Sequence, residues 1–462
     1  MILYNARIYS NGITRKGIIL ISDGTIKSVK FNLNDEEVKM FIKEHEGDEN
    51  IDCKNKIIIP GIIDIHSHLR DMEQSEKETF QTGTKAAALS GITTVFNMPN
   101  TKPPAITTNQ VKKWMNKAKN NIYINVGFIS GVPRNIDQEE IKNIIDLGVI
   151  GFKIYPLHSL NGIDWTKNEN IQKILSISLK YQVPIFIHPD WPILEEHKEV
   201  IMKNHYNEKN ILYLHDKLFP GKNELKYIEF MVENYEKFVK EDKLTKNYPI
   251  LHFCHVSDKK SYIFLRDLVM KKENNFKITF EITPHHLLLS RDVKLMNSNY
   301  GKVLPPLRAP NHSSYLYKEL IKDNVNLIGT DHAPHTLEEK NQKYLNAPSG
   351  FPGFETYTRI LLNKVLEKEI TLQTFVKISS ENPAKIFGLK KKGLIEEGND
   401  ADLVIFDNVS PYEINSNDFI SKAKFSPFEG YRSSVQIWKT FLGGVEINLY
   451  DEKPRGKIIK RE

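Results

Sequence analysis

Between positions 60 and 335 the hydrophobic pattern switches repeatedly between two forms. Short β-branched runs, apolar almost throughout, alternate with longer stretches whose apolar residues recur three or four apart. The short runs are IIDIH from 62, TTVFNMP from 93, IYINVGFI from 122, IGFKIY from 150, PIFIHPD from 184, ILHFCHV from 250, ITFEIT from 278 and NLIGTDHA from 326. Strands buried on both faces and separated by helical patterns predict βα units and a parallel sheet. Eight of them predict a closed (β/α)8 barrel, TIM-like, over residues 60–388.

The two ends of the chain have a different texture. Residues 1–59 read as short alternating strands with turn signals, such as ILYNARIYSNG and GIILISDG, interrupted by the acidic NDEEVKMFIKEHEGDEN. Residues 389–462 repeat that texture in DADLVIFD and VQIWKTFLGGVEINLY. Both ends together predict one small accessory β domain. The one long interruption of the barrel pattern, residues 197–247, is Lys- and Glu-rich with a helical period and predicts a solvated helix without chemistry.

Composition narrows the function classes. The 462 residues, 40% hydrophobic, suffice for one large core and an accessory unit. The net charge of +6 arises from 64 Lys and Arg against 58 Asp and Glu spread along the chain, which describes a solvated surface and not a nucleic-acid footprint. The only two cysteines, Cys53 and Cys254, lie far apart in apolar contexts, so neither a disulfide framework nor a thiol nucleophile is expected. The first residues alternate like a strand and lack the pattern of a secretory leader, and no run reaches the roughly eighteen apolar residues of a membrane span. A cytoplasmic enzyme with a small-molecule substrate, without nucleic acid or membrane as partner, is the expectation.

The candidate chemistry sits where the predicted strands end. His66 and His68 close the first strand, Lys153 the fourth, His188 the fifth, His255 the sixth and Asp331 the eighth. In a barrel these carboxyl ends share one face, and that face carries the active site. Any one histidine is more often a hydrogen-bonded core or rim residue. Six such groups on one rim point to a metal site. Lys153 has donors but no lone pair to offer a cation, so it either binds substrate charge or, carbamylated by carbon dioxide, becomes an anionic ligand.

The ordered segments PGIIDIHSHLRD, KETFQTGTKAAALSGITTVFNMPNTKPP, GFKIY, EITPHHL, PPLR, GTDHAPHT, GFPGFET and NPAKIFGL resemble the amidohydrolase superfamily and, within it, the dihydroorotases, over residues 60–389. That resemblance implies two divalent metal ions, with zinc favoured by the imidazole-rich set. His66, His68 and Asp331 would hold one ion and His188 and His255 the other, with carbamylated Lys153 as the bridge. A hydroxide shared by the ions would attack the cyclic amide, with Asp331 as general acid and base. The implied reaction is the reversible cyclisation of N-carbamoyl-L-aspartate to L-dihydroorotate and water, in pyrimidine biosynthesis. Arg70, whose planar fork suits a ring carboxylate, would bind substrate together with Asn100 and His335.

His285 and His286 are expected to be structural, and Gly350, Pro352 and Gly353 to shape a loop at the pocket mouth. Two positions depart from the family pattern. Asp71, Met72 and Glu73 stand where an acidic residue and Pro-Gly are common, and Leu304 stands where Asn often precedes PPLR. The rival readings are an allantoinase, a dihydropyrimidinase, against which Arg70 and Asn100 argue, or a non-catalytic scaffold for a pyrimidine-pathway partner. The resemblance leaves room for a homo-oligomer and for association with aspartate transcarbamoylase.

Overall fold

The computed structural model describes residues 1–207, 210–241, 247–271, 276–448, 450 and 453–461. Seven parallel strands follow one another around a barrel: Ile62–Ser67, Ile92–Asn97, Asn125–Gly131, Gly151–Ile154, Pro184–Ile187, Ile250–Phe253 and Lys277–Phe280. From the fourth strand to the seventh the registers are continuous, with Phe186 beside both Lys153 and His252, and His252 beside Thr279, whereas the pairing of the first two strands shifts register twice. Inside, Ile63, Ile65, Phe96, Ile129, Phe186 and Leu327 are buried, and Phe387 stacks on Phe186 with ring centroids 5.6 Å apart. The interior is therefore a packed core, with a cavity at its carboxyl end.

The predicted eighth strand closes the barrel but forms no ladder. Residues 327–333 touch their neighbours through single parallel bridges, Ile282 with Ile328 on one side and Ser67 with His332 on the other. Asp331 has a φ of 49°, in the left-handed region, which interrupts an extended run. Gly329 is needed for a steric reason: a Cβ there would lie 2.6 Å from Glu281 Oε2 and 2.9 Å from His66 Cβ.

Both chain ends build the second sheet. Ile2–Ser10, Ile13–Ser22 and Thr25–Phe31 form an antiparallel meander, Ile57–Pro60 runs parallel to the first of these, and Leu403–Glu413 and Arg432–Leu442 extend the sheet on its other side. Its core contains Leu3, Ile8, Ile19, Ile58, Leu403 and Phe441, all buried. Ile57–Pro60 thus leads directly from this sheet into the first barrel strand.

Among its described residues the long interruption contains three α-helices, Glu195–His205, Ile211–Leu218 and Gly221–Glu241. The first buries nothing, as expected of a solvated helix. The third differs from that expectation, because Glu224, Tyr227, Ile228, Met231, Tyr235 and Phe238 lie on one helical face and are buried. Glu224 and Asp216 both pair with Arg308 of the PPLR segment, which ties the helices to the rim of the barrel.

At the opposite end, the final strand Ile458–Ile459 leaves the second sheet and pairs in parallel with Val126 and Gly127 of the third barrel strand. Val126 donates its N–H to Lys457 O at 2.9 Å. The slot is tight, since a Cβ on Gly456 would lie 2.0 Å from Ile124 O. Gly456→Ala is therefore expected to unseat the tail and to cost about 1–3 kcal/mol, the range for overpacking a closed site. Amide exchange at Val126 should accelerate in this variant; unchanged protection there would show that the slot accepts a methyl group.

Candidate active site

The carboxyl ends of the strands surround a cavity of about 320 Å³. His66, His68, Arg70, Asn100, His188, His255 and Asp331 line it on one side, and Leu157, Leu160, Val303 and Leu304 give it an apolar wall. The imidazoles are mutual neighbours, with ring centroids 5.4 Å apart for His66 and His68, 5.1 Å for His66 and His255, and 4.6 Å for His188 and His255. Lys153 is buried in the same group; burial first, and the Lys153 charge in addition, depresses the basicity of His188 and His255. Lys153 Nζ lies 2.8 Å from Cys254 Sγ, and among the described residues it has no ion-pair partner.

The first strand is locked to residues 329–333 by a short series of hydrogen bonds. Asp331 donates its N–H to His66 O at 2.9 Å, and His68 donates to His332 O at 2.8 Å. Asp64 accepts from Thr330 N at 2.9 Å and from Thr330 Oγ1 at 2.6 Å. Burial pushes the Asp64 carboxyl up to about 7 against these bonds. The seam aims His66, His68 and Asp331 at one another, so that their ligand atoms all lie within 4.8 Å.

Glu281 is the functional residue that the sequence reading missed. It follows the seventh strand, the one strand end among the last five to which no chemical group had been assigned, and it is the first residue of the EITPHHL segment. One carboxylate oxygen contacts His66 Nδ1 and accepts from His255 N at 3.2 Å, while the other faces His252 Nε2 at 3.2 Å. Burial raises its pKa, but His66 and His252 outweigh burial and hold the carboxyl well below the usual range. Burial likewise opposes a charge on His66, yet Glu281 and Asp331 raise it to about 10. The carboxylate also fixes the His66 ring, leaving Nε2 toward Asp331 at 3.4 Å.

These residues fit divalent cations. Burial lowers His68 to about 4 and takes His188 and His255 well below their usual value, so all three are neutral and carry lone pairs. His188 Nδ1 and His255 Nε2 face each other at 3.0 Å, while His188 Nε2 and His255 Nδ1 are buried without partners. At His66 a proton is held between two carboxylates, where a cation can replace it.

Of the three proposed substrate contacts, two reach the cavity. Arg70 lines it and is 6% exposed, with Nε donating to Pro334 O at 3.3 Å and Nη2 lying 3.2 Å from His335 Nε2. Burial lowers its pKa to about 10, and no carboxylate pairs with it among the described residues. Asn100 accepts from His68 Nδ1 at 2.6 Å, which fixes the tautomer that turns His68 Nε2 to Asp331 at 3.0 Å. Among the described residues its N–H donors stay uncommitted.

His335 stands behind Arg70 and does not line the cavity. Burial holds it neutral, at about 3, so its two tautomers make different bonds. With the proton on Nδ1 it donates toward Glu339 Oε2 at 3.3 Å and accepts from Arg70. With the proton on Nε2 it donates to Ser349 O at 3.0 Å, accepts from Lys77 and releases Arg70.

The loop that begins at Arg70 has an unusual backbone. Arg70, Asp71 and Met72 have φ values of 54°, 59° and 53°, three successive left-handed residues without a glycine. Asp71 secures them, accepting from Phe80 N at 2.9 Å and from Met72 N at 2.7 Å. His286 has the structural role expected of it, bonded to Thr283 Oγ1 at 2.8 Å and to Pro305 O at 3.1 Å. His285 packs edge-on against Phe351.

Comparison with known proteins agrees with this geometry. The model of the amidohydrolase family matches residues 57–447. A dihydroorotase of Methanosphaera stadtmanae is 32% identical over 93% of this chain and 92% of its own length. A dihydroorotase of Pyrococcus abyssi is 35% identical over 100% of this chain and 97% of its own. In fold the chain is similar to an L-hydantoinase (dihydropyrimidinase) from Arthrobacter aurescens, with a TM-score of 0.88 and 23% identity, covering 100% of this chain and 99% of that one. The (β/α)8 barrel with its joined-end sheet, the histidine and aspartate cluster at the strand ends and these full-length relatives lead to one assignment: the chain belongs to the amidohydrolase family, on its dihydroorotase branch, and is a hydrolase.

Proposed function

We propose that the chain is a dihydroorotase, interconverting N-carbamoyl-L-aspartate and L-dihydroorotate. The observation that carries this reading is Arg70, a buried guanidinium that has no carboxylate partner among the described residues and opens onto the same cavity as His66, His68 and Asp331. A buried cation without a counter-charge is costly, and a ring carboxylate supplies that charge where the amide must react. The names of the full-length relatives support the same substrate.

His66, His68 and Asp331 would hold one divalent ion and His188 with His255 a second, with Lys153, as the carbamate, between them. Zinc suits so many imidazoles. Bound there, the ions would supply Lewis acidity toward the amide carbonyl and acidify a water. Lys153 supports the carbamate reading because, among the described residues, its buried ammonium meets a thiol and the Tyr155 ring but no carboxylate.

The chain's own residues account for the rest. In hydrolysis water adds to the ring carbonyl carbon and the C–N bond breaks. Asp331, held as a carboxylate by His66 and His68 despite its burial, takes the proton from the attacking water and returns it to the leaving nitrogen. Arg70 clamps the carboxylate, Asn100 offers its amide N–H groups, and His335 in its Nε2–H form leaves Arg70 free to do so. In the biosynthetic direction the carbamoyl nitrogen attacks the side-chain carboxyl carbon and gives its proton to Asp331, which passes it to the hydroxyl that leaves as water. The apolar wall with Leu304 suits an uncharged ring edge, which keeps a dihydropyrimidinase as the reading to test against.

Holoprotein should contain close to two divalent ions per chain by elemental analysis. Lys153→Ala should lose metal and turnover together, with partial recovery on adding short-chain carboxylic acids. Full metal content and activity in that variant would remove Lys153 from the ligand set. Arg70→Met should keep its metal but lose about thirty- to a thousand-fold in kcat/KM on dihydroorotate, equivalent to about 2–4 kcal/mol. Turnover of dihydrouracil, which has no carboxylate, serves as the control. Preference of the wild type for the uncharged ring, or an indifferent Arg70→Met, would sink the dihydroorotase reading.

A further inference from the structure

The loop that roofs the cavity is wound around two buried lysines whose pKa burial lowers, to about 8 at Lys302 and well below the usual lysine value at Lys340; the three carbonyls that converge on Lys340 Nζ call for the three N–H donors of its ammonium form. Lys340, fully buried at the end of the short helix Leu337–Lys340, donates to Lys302 O at 3.2 Å, Pro348 O at 2.9 Å and Gly350 O at 2.9 Å. Lys302 in turn donates to Tyr344 O at 2.7 Å and to Ala347 O. Neither lysine pairs with a carboxylate among the described residues. Four of the five carbonyls belong to residues 344–350, and the fifth, Lys302 O, also accepts from Gly350 N at 2.9 Å. A buried ammonium must recover its lost hydration from such carbonyls, so their positions are fixed as firmly as the charge requires.

That loop reaches the substrate corner through Ser349 and Gly350, which both line the cavity. Ser349 O is the acceptor for His335 Nε2, and this bond is the one that frees Arg70. We propose that Lys340 is the positioning residue of the carboxylate corner, its ammonium standing in for a monovalent cation in a cage of three carbonyls that sets Ser349 O against His335. This proposal rests on the dihydroorotase reading for its substrate. The cage predicts a further property. Removing the side chain leaves three converging backbone carbonyls, the kind of site that binds ammonium or potassium.

The test is Lys340→Ala, prepared in sodium salts and assayed with sodium, ammonium, potassium or choline chloride at equal ionic strength. KM for dihydroorotate should rise about 10- to 100-fold with kcat and metal content little changed, since the defect is one of placement. Turnover of dihydrouracil should not change. Ammonium or potassium should restore KM, whereas choline should not, and the wild type should respond to none of them. An unaltered KM, an equal loss of kcat on both substrates, or rescue by choline as good as by ammonium would each overturn the proposal. Amide exchange at Ser349 and Gly350, faster in the variant and slowed again by ammonium, judges the cage without any substrate. If the wild type ignores dihydroorotate, the substrate reading falls and exchange alone decides whether the cage stands. Should Lys340→Ala fail to fold in every salt, Lys340→Gln, which keeps N–H donors without the charge, should show an intermediate KM; a wild-type KM there would equally refute the role of the ammonium.

Discussion

Hydrogen bonds between the first barrel strand and residues 329–333 carry the geometry of the site. A sheet of seven laddered strands has to close, and it closes here through a segment with only one bridge on each side. Side-chain and irregular backbone bonds replace the missing ladder: Asp64 to Thr330, Asp331 to His66, and His68 to His332. Because residues 329–333 are not held flat in a ladder, Asp331 can adopt a left-handed backbone and turn its carboxylate toward His66 and His68. Glu281 fits beside His66 only because position 329 has no side chain.

Much of this was legible in the sequence, and the reason is physical. Buried parallel strands leave continuous apolar runs, and a histidine or aspartate at the end of such a run is conspicuous, which located His66, His68, His188, His255 and Asp331. The pairing of both chain ends in one sheet followed from their shared alternation. Glu281 escaped because its work is done through His66, and nothing local in EIT marks an orienting carboxylate. The position of His335 behind Arg70 depends on the path of residues 344–350, which is set by lysine-to-carbonyl bonds that leave no periodic trace. The buried face of Gly221–Glu241 was readable in its spacing, but its many surface charges concealed it.

The interruption of the barrel illustrates how a charged segment becomes part of a core. Arg308 is almost fully buried, and it meets Asp216, Glu224 and Ser257 at 3.0, 3.2 and 2.9 Å. Glu224 also accepts the N–H groups of Ser257 and Asp258, at 3.1 and 3.0 Å, just beyond His255. Such a network adds little to stability relative to apolar packing, but its directional bonds fix relative placement. It thereby couples the inserted helices to the loop that follows the sixth strand and to the segment that carries Arg308 and, in the cavity wall, Leu304.

The left-handed run at Arg70, Asp71 and Met72 has a consequence for the energetics of recognition. Each such residue costs about 1–2 kcal/mol relative to an ordinary backbone. Asp71 and the buried surroundings meet that cost once, when the chain folds. An arginine on an unconstrained loop would instead surrender about 0.5–1.5 kcal/mol of side-chain freedom at every encounter with a ligand. By placing the ordering step in folding, the loop makes the guanidinium preorganised; on the dihydroorotase reading, its attraction for a ring carboxylate would be offset by little more than desolvation of the anion itself.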